Sequence, residues 1–180
     1  MKFVDLPYRE WRGLHIYTLL PVMAQTIQPK SYLEIGVWRG GSMVALVKDS
    51  PSVEEVVACD PLVGHCGGPT TPEFLEPLLR ESGYKGSLEW LHGKAEDLLQ
   101  DYLLKREIPF DLAFVDGEHS YDHASHDIRQ VVPNTRWTLV HDMHNPSVWD
   151  ALMEYLYENP LPFMITAESE GTAIIYNEYA

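Results

Sequence analysis

The chain has few cysteines: Cys59 and Cys66 are the two in 180 residues. They are too sparse for a disulfide framework and lack zinc-site spacing, so a reducing cytoplasm is the expected compartment. Basic residues are also scarce, with 13 Lys and Arg against 27 Asp and Glu and a formal net charge of −14. Nucleic-acid backbones and anionic membrane surfaces favour basic patches, so neither is expected as the main partner. No apolar run reaches the length of a membrane span. The start, Met1-Lys2-Phe3-Val4-Asp5, meets an acid too early for a secretory signal, and none is expected. Two nucleotide-binding signatures are missing as well. No Gly-x-Gly-x-x-Gly occurs, and no glycine-rich loop ends in Gly-Lys-Ser/Thr.

What is present is an ordinary globular balance, 45% hydrophobic and 22% charged. The length suits one domain with a sizeable core, and no repeat or linker divides it. Residues 1–180 therefore read as a single domain, with 1–29 as an N-terminal helical segment. Short apolar runs alternate with longer amphipathic stretches, the pattern of a parallel sheet with crossover helices. Strands are expected at Ser31–Gly36, Val53–Cys59, Leu88–Leu91, Phe110–Val115 and Trp137–Val140. Phe163–Thr166 and Thr172–Tyr176 read as a closing antiparallel pair. Helices are expected over residues 8–27 with Pro21 inside, Gly40–Lys48, Pro72–Ser82 with Thr71 as N-cap, Ala95–Arg106, Ser120–Val132 with Ser120 as N-cap, and Pro146–Glu158. The expected fold is α/β: a doubly wound, mostly parallel, seven-stranded sheet with an antiparallel terminal strand.

In such a sheet ligands bind beyond the carboxyl ends of the strands. Five segments lie there. After the first strand, Glu34-Ile35-Gly36 leads to Gly40-Gly41-Ser42, where glycines admit a close ligand and a helix offers free N–H groups. By itself this turn is as readily structural as functional. Asp60 follows the second strand and can accept from ribose hydroxyls; read alone it is as well a turn cap. Gly93-Lys94-Ala95-Glu96 follows the third, with room for a flat base or simply a helix start. The fourth ends in Asp116-Gly117-Glu118-His119-Ser120-Tyr121, and the fifth in His141-Asp142-Met143-His144. Buried strands that end in Asp and His are costly unless those groups are paired or liganded, so a metal or general-base site is expected there.

Histidine is unevenly distributed: five of the eight fall between residues 119 and 144, where an even spread would put about one. His123 and His126 read as a solvated face of their helix, whereas His119 precedes that helix at the strand-end rim.

Taken together, the strand ends resemble class I S-adenosylmethionine-dependent methyltransferases, over about residues 30–145. Leu33-Glu34-Ile35-Gly36 with Gly40-Gly41-Ser42 looks like that family's first motif. The most specific stretch, Phe110 to Tyr121, is similar to the small-molecule O-methyltransferase branch whose fourth strand ends in Asp-Gly-x-His-Ser-Tyr. That branch also carries a His-Asp pair like His141-Asp142. The resemblance implies a Rossmann-like methyltransferase fold and S-adenosylmethionine as cofactor. Gly36, Gly40, Gly41 and Ser42 would line its methionine end, with Glu34 orienting that loop. Asp60 would take the ribose, Ala95 and Glu96 the adenine edge, and Asp116 would border the cofactor. Related catechol-type enzymes hold Mg²⁺, which maps here to Asp116, His141 and Asp142 for Mg²⁺ or another divalent metal. His141 departs from the all-oxygen set of those enzymes. Asp116 and His119 are the catalytic candidates, His119 as proton acceptor. The expected partner is a small hydroxylated acceptor, with a homodimer open because Tyr8, Trp11 and Tyr17 could pack on a second copy. The alternatives are a metal-dependent hydroxylase on the same scaffold and a non-catalytic S-adenosylmethionine-binding protein.

Overall fold

The computed structural model describes residues 16–48, 50–61, 71–166 and 170–180. The β-branched and aromatic runs form seven strands: β1 (Ser31–Ile35), β2 (Glu55–Asp60), β3 (Ser87–His92), β4 (Phe110–Val115), β5 (Thr135–Val140), β6 (Phe163–Ile165) and β7 (Ala173–Tyr176). They form one sheet in the order β3-β2-β1-β4-β5-β7-β6. The first five strands run parallel, and β7 pairs antiparallel with both β5 and β6. The strand order reverses between β1 and β4, so the chain leaves their C-terminal ends toward opposite faces of the sheet and a crevice lies above them.

Among the described residues six α-helices cover the sheet: α1 (Ile16–Ile27), α2 (Gly41–Lys48), α3 (Pro72–Glu81), α4 (Ala95–Leu104), α5 (Tyr121–Val131) and α6 (Pro146–Glu158). The period-2 alternation of the strands sorts the interior into two cores. On one face Tyr32, Val56, Ala58, Leu112 and Phe114 meet Leu20, Leu46 and Leu75 of α1, α2 and α3. On the other, Leu33, Ile35, Val57 and Ala113 meet Leu99, Ile128 and Leu152 of α4, α5 and α6. The central strands are buried on both sides, as their unbroken apolar runs require. The outer strand β3 alternates between exposed and half-buried positions.

Some local expectations shift. Strand β5 begins at Thr135 rather than Trp137, because Phe110 of β4 supplies a partner for Thr135. Asp111 interrupts the apolar run of β4 for a reason: its Oδ2 accepts from the Lys30 and Ser31 N–H groups at 2.8 and 3.2 Å and ties down the start of β1. Thr71 and Ser120 have the extended backbone of N-caps, but neither side chain caps its helix. The Ser120 hydroxyl bonds His123 Nδ1 instead, at 2.7 Å. The part of the first helix expected at 8–15, with Tyr8 and Trp11, lies outside the described residues, as does Cys66. No helix of the described residues is long and apolar enough to cross a membrane.

Candidate active site

The tight point of the site is Gly36, at the end of β1. Its φ is +82°, and a Cβ there would come within 2.0 Å of the Asp116 carbonyl oxygen. Only glycine lets the ends of β1 and β4 approach this closely. Below it, Glu34 is fully buried. Its Oε2 accepts from the Tyr32 hydroxyl at 2.6 Å and its Oε1 lies 2.5 Å from the Ser42 hydroxyl. Burial pushes the Glu34 carboxyl up to about 8, so the acid is largely neutral at pH 7 and binds the start of α2 to β1 by neutral hydrogen bonds.

Asp60, at the end of β2, shapes the same loop from the other side. Its Oδ2 accepts from the N–H groups of Val37 and Trp38 at 2.7 and 3.3 Å. Trp38 takes a left-handed φ of 45°, and its half-exposed ring borders a cavity of about 580 Å³. Gly36, Cys59, Asp60, Ala95, Glu96 and Asp116 also line it, together with Gly117, His123 and Asp127. The sequence-derived cofactor set thus divides. Gly36, Asp60, Ala95, Glu96 and Asp116 face the cavity. Gly40, Gly41 and Ser42 are not among its lining residues: a Cβ on Gly40 would strike Leu75, and one on Gly41 the Tyr17 ring. These glycines make room for packing within the chain.

Beside the cavity, the ends of β4 and β5 bring four polar side chains together. His119 Nε2 lies 3.0 Å from Asp142 Oδ2 and 3.5 Å from Asp116 Oδ1. His141 Nδ1 lies 3.3 Å from an oxygen of each, and its Nε2 faces Glu170 at 3.6 Å. Hydrogen bonds to Asp116 and Asp142 raise His119 to about 10. Burial works against the charged form of His141, but the same two carboxylates outweigh it and hold this ring at about 10 too. Asp142 is held far below the usual carboxylate range by His119 and then His141. It also sits in the left-handed region, at φ 56°, a conformation uncommon outside glycine and concentrated at functional sites. The donor atoms of Asp116, His119 and Asp142 all fall within 4.8 Å of one another, so His119 stands where the resemblance put His141. Two carboxylates and one imidazole are a fitting ligand set for a divalent cation, and the nitrogen favours a transition metal over Mg²⁺.

Sequence reasoning misjudged α5. His123 is not fully solvated: it is partly exposed and lines the cavity, with Nε2 2.9 Å from Glu96 and 3.4 Å from Glu118. Nor does His126 lie on an open face; its Nδ1 is buried beside Asp127. Asp127, buried and unremarked in the sequence, shares the His123 face. The signal that could have found it is the four-residue spacing from His123, which places both on one side of the helix.

Comparison with known proteins decides the family. Residues 33–143 match a family described as a methyltransferase domain. The chain belongs to this methyltransferase family. Among curated relatives of the methyltransferase is tricin synthase 1 of Oryza sativa subsp. japonica, 30% identical over 105 residues. The match spans 56% of this chain and 39% of the rice protein, so the chain corresponds to well under half of that relative. Among solved structures, an O-methyltransferase from Bacillus cereus in complex with SAH superposes with a TM-score of 0.69 at 16% identity, over 96% of this chain and 83% of the other. The O-methyltransferase TomG of Streptomyces achromogenes, in complex with SAM, gives 0.64 at 18% identity, over 89% and 78%. At these identities the likeness establishes the Rossmann-like methyltransferase fold.

Proposed function

We propose that this methyltransferase transfers the methyl group of S-adenosylmethionine to a hydroxyl of a small molecule. One observation carries the reading: the cavity of about 580 Å³ over the crevice opens beside the Asp116–His119–His141–Asp142 cluster. Asp60 would accept from the ribose, Ala95 and Glu96 would border the base, and Asp116 would face both cofactor and acceptor. Glu34 and Ser42 hold the loop around Gly36 in place. The two structural neighbours bear the name O-methyltransferase, which supports oxygen as the accepting atom.

In the reaction the acceptor oxygen attacks the methyl carbon, the carbon–sulfur bond breaks, and S-adenosylhomocysteine leaves. The hydroxyl proton passes to the carboxylates of the cluster, of which Asp116 faces the cavity, because His119, at about 10, already carries its own proton at neutral pH. Most of the enzyme's contribution is alignment, worth several kcal/mol. Asp116, His119 and Asp142 would hold a divalent cation, which would lower the pKa of the hydroxyl. The cytoplasm is the compartment we assign, on the sparse cysteines.

The test is methyl transfer from S-adenosylmethionine to a panel of phenols, catechols and sugar hydroxyls, followed by S-adenosylhomocysteine release. Asp142→Ala is expected to lower kcat at least about a hundredfold while S-adenosylhomocysteine binding, measured by calorimetry, is kept. Asp116→Ala is expected to lower both. Activity lost in chelator and restored by a divalent ion supports the cation at Asp116, His119 and Asp142. Full activity in chelator would instead leave Asp116 and Asp142 the task of holding His119. Absence of S-adenosylhomocysteine binding by the wild type would overturn the donor assignment.

A further inference from the structure

The roles above leave two acidic wall residues unused, Glu118 and Asp127, of which Glu118 is exposed and Asp127 buried. Asp127 lies on α5 and is 5% exposed, yet it lines the cavity. Its carboxylate rests on the backbone of Gly117, where a Cβ would meet Asp127 Oδ2 at 2.9 Å. A glycine after Asp116 therefore leaves the Asp127 carboxyl open to the cavity. Burial pushes this carboxyl up to about 6, which still leaves it mostly ionised at neutral pH.

Its protein partners are poor. The contact to His126 Nδ1 is 3.5 Å, at the outer limit of a hydrogen bond. Glu96, the acid that the resemblance places at the adenine edge, is in the opposite condition. Its Oε1 is 3.2 Å from Lys94 Nζ and its Oε2 2.9 Å from His123 Nε2. A buried carboxylate that lacks donors is costly, and a ligand that supplies one is bound the better for it. The placement selects the ligand group. Asp60 marks the ribose position at the end of β2, and Cys59, Ala95, Gly117 and Asp127 line the same cavity. A purine attached to that ribose would share the cavity with the buried Asp127 carboxyl.

We propose that Asp127 reads the base of the methyl donor, accepting a hydrogen bond from the exocyclic amino group of adenine. This rests on the reading that the cavity holds S-adenosylmethionine. Adenine offers an N–H donor at that position, whereas a 6-oxo purine offers a carbonyl oxygen, an acceptor facing an acceptor. A site built to bond a substrate N–H rejects the analogue that lacks it, because its own polar group is then left unpaired.

The experiment is calorimetric titration of the full chain with S-adenosylhomocysteine and with S-inosylhomocysteine, which differs at that one group. The wild type is expected to prefer the adenosyl compound by at least about tenfold. In Asp127→Ala the preference collapses toward unity, chiefly through weaker binding of the adenosyl compound. In Asp127→Asn, close to isosteric, the amide can donate to the 6-oxo group and the preference also narrows. The ratio is measured within one protein, so a general loss of folded protein cancels. If Asp127→Ala does not fold, Asp127→Asn decides. A ratio unchanged by substitution, with S-adenosylhomocysteine still bound, overturns the role of Asp127 alone. A wild type that binds neither compound overturns this inference together with the donor reading beneath it.

Discussion

The Glu34 carboxyl ties the folded state to pH. Its folded value of about 8 lies above the ordinary value for an unfolded chain, so folding takes up a proton that the unfolded chain releases. The stability contributed by the protonated acid is whole below about 4.5, declines as pH rises, and is gone above about 8. Glu34→Gln keeps a neutral group that can accept from Tyr32 and donate to Ser42. Denaturant titrations across this range are expected to show a flatter pH dependence for the variant, with a difference of a few kcal/mol developed by pH 8. Asp60 makes a different prediction. Its carboxylate orders the Val37–Trp38 backbone as well as facing the cavity. Asp60→Ala is therefore expected to weaken S-adenosylhomocysteine binding by about 10- to 100-fold, measured by calorimetry. Asp60, Asp116 and Asp142 were legible in the sequence because a parallel sheet places every strand end on one rim. The protonation of Glu34 was not, since it follows from enclosure by Tyr32 and Ser42. Nor was the left-handed backbone of Trp38 and Asp142, which tertiary packing imposes against residue preference.

At the scale of elements, β1 and β4 meet at a contact that tolerates no side chain. Gly36→Ala would put a Cβ within 2.0 Å of the Asp116 carbonyl. The strand ends must then separate or the loop must unfold locally, at a cost of about 2–4 kcal/mol in stability. The same displacement is expected to abolish S-adenosylhomocysteine binding; thermal melting and calorimetry on one sample check both. The order of strands and helices could be read from apolar runs and turn residues, and the boundaries moved by only a few residues. Helix α5 shows what such reading leaves out. Two histidines, His123 and His126, together with Asp127 look like a hydrated surface in sequence. Which of them turn inward is set by how Ala124, Ile128 and Val131 seat the helix on the sheet.

At the scale of the whole molecule, the cavity proposed for the donor draws on the ends of β1, β2 and β4 and on α4 and α5. A ligand that spans them binds the folded chain and not the unfolded one. At about 100 times its dissociation constant, S-adenosylhomocysteine is expected to stabilise the protein by about 2.7 kcal/mol. For a chain of this length that raises Tm by roughly 5–10 °C, readable in a thermal shift assay. A nicotinamide dinucleotide, for which the chain has no glycine signature, is expected to leave Tm unchanged. The net charge of −14 predicts little affinity for DNA or RNA at physiological salt.

The place of β7 has a consequence for biogenesis. It follows β6 in the sequence, yet it lies between β5 and β6 and hydrogen-bonds to both. While the chain emerges from a ribosome, β1 to β5 can assemble early, but β5 keeps an open edge until residues 173–176 have been made. For that interval Trp137, Leu139 and the bare backbone of β5 form a template for pairing with other chains. Release from this aggregation-prone state depends on four residues made well after β5, so a ribosome stalled before them would hold a nascent sheet that cannot protect itself.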